Sequence, residues 1–88
     1  MDKLKDLEIL AQEFKKYGFK LSQSEVGPMD SGIASFSNGS QSVTIIKDKS
    51  QWSFDSKKDF LASFGLWKSF DSVTDFCKAI NILLKNLK

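Results

Sequence analysis

Asp55 and Asp59 stand four residues apart, and two carboxylates so placed could divide general-acid from general-base work if their surroundings drove their pKa values apart. Nothing near them in the sequence marks a cleft or a partner charge that would do so. Asp48, Asp55 and Asp59 lack the spacing of a calcium loop, and with no histidine and one cysteine there is no nitrogen or paired-sulfur set for zinc. Cys77 could act as a nucleophile, but no imidazole is present to activate it. Its position on an apolar helical stripe makes it a small core residue instead. The chain also lacks arginine, and so the guanidinium fork that grips phosphate or carboxylate. Its five glycines stand apart, none opening a helix ahead of Lys-Ser or Lys-Thr, which leaves no phosphate-cradling loop. The expectation is a binding protein rather than an enzyme, with no catalytic residues, metal ligands or cofactor.

A chain of 88 residues allows one domain, read as residues 1–88, and buries only about 60 to 65% of the surface its unfolded form exposes. Eight Phe, two Trp and one Tyr supply the bulky side chains such a small core needs. Thirteen Lys against eleven Asp and Glu leave a net charge of +2, too little to imply a polyanion partner without clustering, and most of the lysines lie beside an acid. The charged start Met1-Asp2-Lys3-Leu4-Lys5-Asp6 does not resemble a secretory signal, and no apolar run approaches the ~18 residues of a membrane span. A cytoplasmic location without membrane attachment is expected.

The elements that must carry any binding surface follow from periodicity. Leu4, Leu7, Leu10, Ala11, Phe14 and Tyr17 recur at helical spacing and predict a helix over Asp2 to Tyr17, ended by Gly18. Phe19-Lys20-Leu21 starts a strand that fades through Ser22 to Val26, before Gly27-Pro28 breaks the pattern. Asn38-Gly39 is the favoured pair of a two-residue type I′ turn, which sets Phe36 across from Gln41 and Ala34 across from Val43. A second turn at Asp48-Lys49-Ser50 leads into Gln51-Trp52-Ser53-Phe54-Asp55, with Trp52 and Phe54 on the apolar face of Val43 and Ile45. Residues 57–68 read either as a short helix interrupted at Gly65 or as an aromatic loop over the core. Asp71 is the expected N-cap of a last helix through Val73, Phe76, Cys77, Ile80, Leu83, Leu84 and Leu87. The fold class is α+β: a two-layer sandwich of N-terminal helix, three- to four-stranded antiparallel sheet and C-terminal helix.

With both helices on one face of the sheet, the other face shows Ile33, Ser35, Ser42, Thr44, Ile46, Gln51, Ser53 and Asp55, a flat surface of short hydroxyls around two isoleucines. Trp52 and Phe54 could stack on nucleic-acid bases only from an exposed sheet face, and they share theirs with the core. Trp67, beside Lys68 in the least regular stretch, is either an interface anchor or a lid on the open end of the core.

The segment Ser42-Val43-Thr44-Ile45-Ile46-Lys47-Asp48-Lys49-Ser50-Gln51-Trp52-Ser53-Phe54 resembles a pattern found in small bacterial immunity proteins of polymorphic toxin systems, including contact-dependent inhibition. In that pattern a strand ends in an Asp and a basic residue, then Ser-Gln-Trp or similar; Lys49 stands where Arg would be expected. The resemblance implies a stoichiometric inhibitor that occludes a cognate toxin domain. Its contact residues are expected to be Asp48, Gln51, Ser53, Asp55 and Trp67, with the chain a monomer or weak homodimer. Inhibitors of basic toxin nucleases are often acidic, so a net charge of +2 requires either another kind of toxin or a local concentration of acids. The alternative is a small nucleic-acid-binding or phage-type regulator, with an assembly subunit pairing through outer strands as a third reading.

Overall fold

The computed structural model describes residues 6–87. Helix α1 (Leu7–Lys15) is followed by strands β1 (Lys20–Gly27), β2 (Ser31–Ser37), β3 (Ser42–Asp48) and β4 (Gln51–Phe54), helix α2 (Lys58–Ser63), strand β5 (Ser69–Phe70) and helix α3 (Val73–Asn86). The strands form one antiparallel sheet in the order β1-β2-β3-β4-β5. This is the expected α+β arrangement with five strands instead of three or four, the addition being the two-residue β5, too short for alternation to reveal.

The apolar stripe of α1 buries Leu7, Leu10 and Phe14, and that of α3 buries Phe76, Ala79, Ile80, Leu83 and Leu84. Residues 1–5, where the predicted first helix began, lie outside the described residues. Phe14 stacks on Phe36 of β2 with ring centroids 3.9 Å apart, while Phe76 sits among Trp52, Phe54 and Phe70 at 5.7, 4.8 and 5.3 Å. These contacts fix α1 over the β1–β2 side of the sheet and α3 over its β4–β5 side. Such pairs add about 0.5–1.5 kcal/mol each beyond their area burial. Tyr17 bridges the two helices through a hydrogen bond from its hydroxyl to Asn81 Oδ1.

Both α1 and α2 end in the same way. After α1, the amide of Gly18 donates to the Lys15 carbonyl and that of Phe19 to the Phe14 carbonyl, with Gly18 at φ 82°. After α2, Gly65 donates to Ala62 and Leu66 to Leu61, with Gly65 at φ 72°. Each is a glycine-dependent helix stop that brings two apolar side chains together, Phe14 with Phe19 and Leu61 with Leu66, all four of them buried. Residues 57–68 therefore hold a short helix ending before Gly65, which decides between the two sequence readings.

Three sequence expectations need correction. The β2–β3 register pairs Phe36 with Val43, Ala34 with Ile45 and Ser37 with Ser42, two residues from the predicted register. Asn38 does not take the positive φ that a type I′ turn requires. Its Oδ1 instead accepts from the amides of Ser40 (3.0 Å) and Gln41 (2.8 Å), which holds a four-residue loop. The two registers differ by an even number, so every side chain keeps its predicted face. Strand β1 does not fade after Leu21; the ladder with β2 carries it to Gly27 across one irregularity between Leu21 and Gln23. The cap of α3 is Ser72, not Asp71: its Oγ accepts from Thr74 N (3.1 Å) and Asp75 N (3.3 Å).

Candidate protein-binding surface

Strand pairing fixes the outer face of the sheet. Ile33 lies across from Ile46, Ser35 across from Thr44 and Ile46 across from Ser53. The Ser35 and Thr44 hydroxyls are hydrogen-bonded at 3.0 Å, so the centre of this face is a half-buried isoleucine pair beside a hydroxyl pair. Helices α1 and α3 pack on the opposite face, and α2 adds the fully buried Leu61 to the core. Both isoleucines keep part of their surface accessible on this face.

The five residues expected to meet a partner are spread along one side of this face. Asp48 and Gln51 pair at the β3–β4 turn, where Lys49 alone takes a positive φ, of 62°. Ser53 follows on β4, between Ile46 of β3 and Ser69 of β5. Asp55 is exposed just beyond the end of β4, its amide donating to the Thr44 carbonyl at 2.8 Å. At the strand rise of ~3.3 Å per residue, Gln51 and Asp55 stand roughly 13 Å apart. Trp67 precedes β5 at the Asp55 end, with 38% of its surface exposed. The buried Leu66, rather than Trp67, closes the core there. The structure thus puts Asp48 with Gln51 at one end and Asp55 with Trp67 at the other, with Ser53 between.

A feature with no counterpart in the sequence reading lies at the Asp48–Gln51 end. Lys47 points to the core side of the sheet, and its side chain is only 4% accessible. The ammonium meets Asp30 Oδ2 at 3.0 Å and lies 5.5 Å from the centre of the Trp52 ring. Beside it is a cavity of about 210 Å³ lined by Asp6, Asp30, Lys47, Ser50, Trp52, Asp71 and Val73. Asp30 and its neighbour Met29 both hold left-handed backbone, at φ 58° and 56°, a conformation that costs a non-glycine residue roughly 1–2 kcal/mol. Gln51 joins this cavity to the outer face, since its Nε2 donates to Asp71 Oδ1 at 2.6 Å. The alternation Val43-Ile45-Lys47 was the signal for Lys47, because it continues the apolar face by one step.

The remaining chemistry is sparse. Burial pushes the Cys77 thiol up from its ordinary pKa, and the nearby charge of Glu13 adds to the shift. The neutral thiol therefore dominates at physiological pH, which suits a core neighbour more than a nucleophile. Among the described residues no group of three or more acidic or sulfur ligands could hold a metal ion, and no helix is long and apolar enough to cross a membrane. Comparison of the chain with protein-family models, with curated proteins and with solved structures returns no match.

Proposed function

We propose that this protein is a non-catalytic inhibitor of the immunity type, which neutralises a cognate toxin domain by stoichiometric binding. The observation that carries the reading is the sheet face opposite helices α1 and α3. It joins a half-buried apolar centre, Ile33 with Ile46, to a polar margin of Asp48, Gln51, Ser53 and Asp55, the mixture of desolvated core and hydrated rim that protein interfaces use. The cavity at its Gln51 end supplies the local acidity that a net charge of +2 conceals, with three carboxylates around one ammonium. A basic partner would meet that end first.

The test begins with the DNA flanking the gene, because inhibitors of this kind normally follow the protein they neutralise. The C-terminal domain encoded immediately upstream is then the bait for titration calorimetry against the wild-type chain and its Gln51→Ala, Asp55→Ala and Trp67→Ala variants. The reading requires one-to-one binding that at least one variant weakens by about tenfold or more without loss of folding. Absence of binding, or unchanged affinity in all three, would overturn it. One observation favours the nucleic-acid alternative: Phe64 and Trp67, 44% and 38% exposed, share a segment with Lys57, Lys58 and Lys68. That reading demands affinity for single-stranded DNA or RNA that falls steeply with salt.

A further inference from the structure

The two edges of the sheet are treated very differently. Strand β5 is two residues long, whereas β1 offers eight, all of them exposed. Edge strands of soluble proteins are normally blunted by shortness, proline, charges or bulges, because free amides and carbonyls template pairing with another strand; β1 carries one such irregularity, between Leu21 and Gln23. Strand β1 contains no proline, and its two charges, Lys20 and Glu25, have opposite signs. Its core-side residues Leu21 and Val26 remain 44% and 45% exposed, and beside its start lies a groove of about 270 Å³ lined by Ala11, Lys15, Phe19, Lys20 and Leu21.

We infer that β1 is a self-association edge, which pairs antiparallel with β1 of a second copy of this chain about a two-fold axis between Ser22 and Gln23. The sequence of the edge is complementary to itself in that register. Lys20 falls opposite Glu25 of the second copy, twice by symmetry, and both residues belong to the outer face through their pairing with Ser37 and Ile33. Leu21 falls opposite Ser24, and Val26 falls opposite Phe19, above the apolar groove. Each exposed valine thereby gains a receptor on the other copy. The irregularity between Leu21 and Gln23 sits on the axis, so each strand changes phase where its partner does and inner residues stay opposite inner ones. The result is an isologous interface in which the two sheets become one. Asp48, Gln51 and Ser53 lie two and three strands away from this edge, so the dimer leaves the proposed partner surface free.

The test is sedimentation velocity on the full chain from about 5 to about 500 µM, a range that brackets the micromolar affinities of small interfaces. Wild type should rise from a mass of 9.9 kDa towards twice that value as concentration increases. Glu25→Lys, which sets two lysines against each other at both ends, should raise the dissociation constant at least tenfold. The Lys20→Glu/Glu25→Lys charge swap keeps the net charge of the wild type and should restore association to within about threefold. Both positions are exposed, and thermal melting verifies that each variant is folded. A wild-type chain that stays monomeric throughout would overturn the inference. So would a Glu25→Lys variant that associates like wild type, or a charge swap that fails to rescue.

Discussion

Replacing Asp30 with asparagine should cost more stability than replacing Lys47 with methionine, although both changes break the same ion pair. Lys47 is the only buried charged residue among those described, with a side chain 4% accessible, while that of Asp30 is 51% accessible. Breaking a fully buried pair costs about 3–5 kcal/mol because a charge is left without compensation. An exposed pair is worth about 0–1 kcal/mol. Asp30→Asn falls between these limits: it strands a buried ammonium, but one beside the Trp52 ring and a cavity wide enough to admit water. A loss of about 1–2 kcal/mol follows, or roughly 5–15 °C in melting temperature for a domain of this size. Asparagine tolerates the left-handed backbone of residue 30 as well as aspartate does, so the substitution isolates the charge. Lys47→Met keeps the packed stem, removes the desolvated charge and frees a carboxylate that already faces water; its effect should lie within about 1 kcal/mol of zero. The double variant should be no less stable than Lys47→Met alone, which makes the coupling measurable as a cycle. Urea denaturation followed by tryptophan fluorescence gives all four values, because Trp52 is buried beside the pair. A larger loss for Lys47→Met than for Asp30→Asn would refute the reasoning, since the ammonium would then be stabilising through something other than Asp30.

The capping hydroxyl of α3 is equally testable: Ser72→Ala should destabilise by about 1 kcal/mol in thermal denaturation, while Asp71→Ala should cost clearly less, and equal losses would return the cap to Asp71. The raised pKa of Cys77 means that the folded state holds the thiol proton more tightly than the unfolded chain does. Its contribution to stability is therefore complete below the ordinary thiol value of about 8.5 and is lost as pH rises through the folded value. Iodoacetamide at slightly alkaline pH should accordingly modify the folded chain more slowly than the urea-unfolded chain, and equal rates would contradict a partly buried, protonated thiol.

Helices α1 and α3 were legible because long apolar stripes average over many residues, and the alternation of β2, β3 and β4 placed Ala34, Phe36, Val43, Ile45, Trp52 and Phe54 on the inner face even where the hairpin register was wrong. The error at Asn38 has a local cause. Asn-Gly is favoured both for its backbone freedom and for the asparagine side chain, and here the side-chain hydrogen bonds won. Helix α2 was readable in principle, since Leu61…Gly65-Leu66 repeats the spacing of Phe14…Gly18-Phe19. Its six residues are too few for periodicity to stand out. The Lys47 cavity was beyond reach, because Asp6, Asp30, Lys47 and Asp71 converge only through the sheet order and the unusual backbone at residues 29 and 30.

That convergence has a simple origin in the strands. Along the inner face β2 runs Phe36, Ala34, Gly32, while β3 runs Val43, Ile45, Lys47, so bulk declines on one strand as polarity appears on its neighbour, where Gly32 pairs with Lys47. The core therefore ends before the strands do, and in the space beyond it a lysine and three carboxylates join Trp52 and Val73. Asp48 and Gln51 stand on the outer face of this same end, one side chain away from the cavity through Asp71. The roughly 13 Å between Gln51 and Asp55 is well within a standard interface of about 800 Å² per partner, so one partner could cover both ends of the face. A single footprint predicts that Gln51→Ala and Trp67→Ala weaken binding independently, with additive free energies in the double variant. If only the Gln51 end responds, the partner recognises the acidic cavity and its rim, and the exposed tryptophan belongs to some other contact.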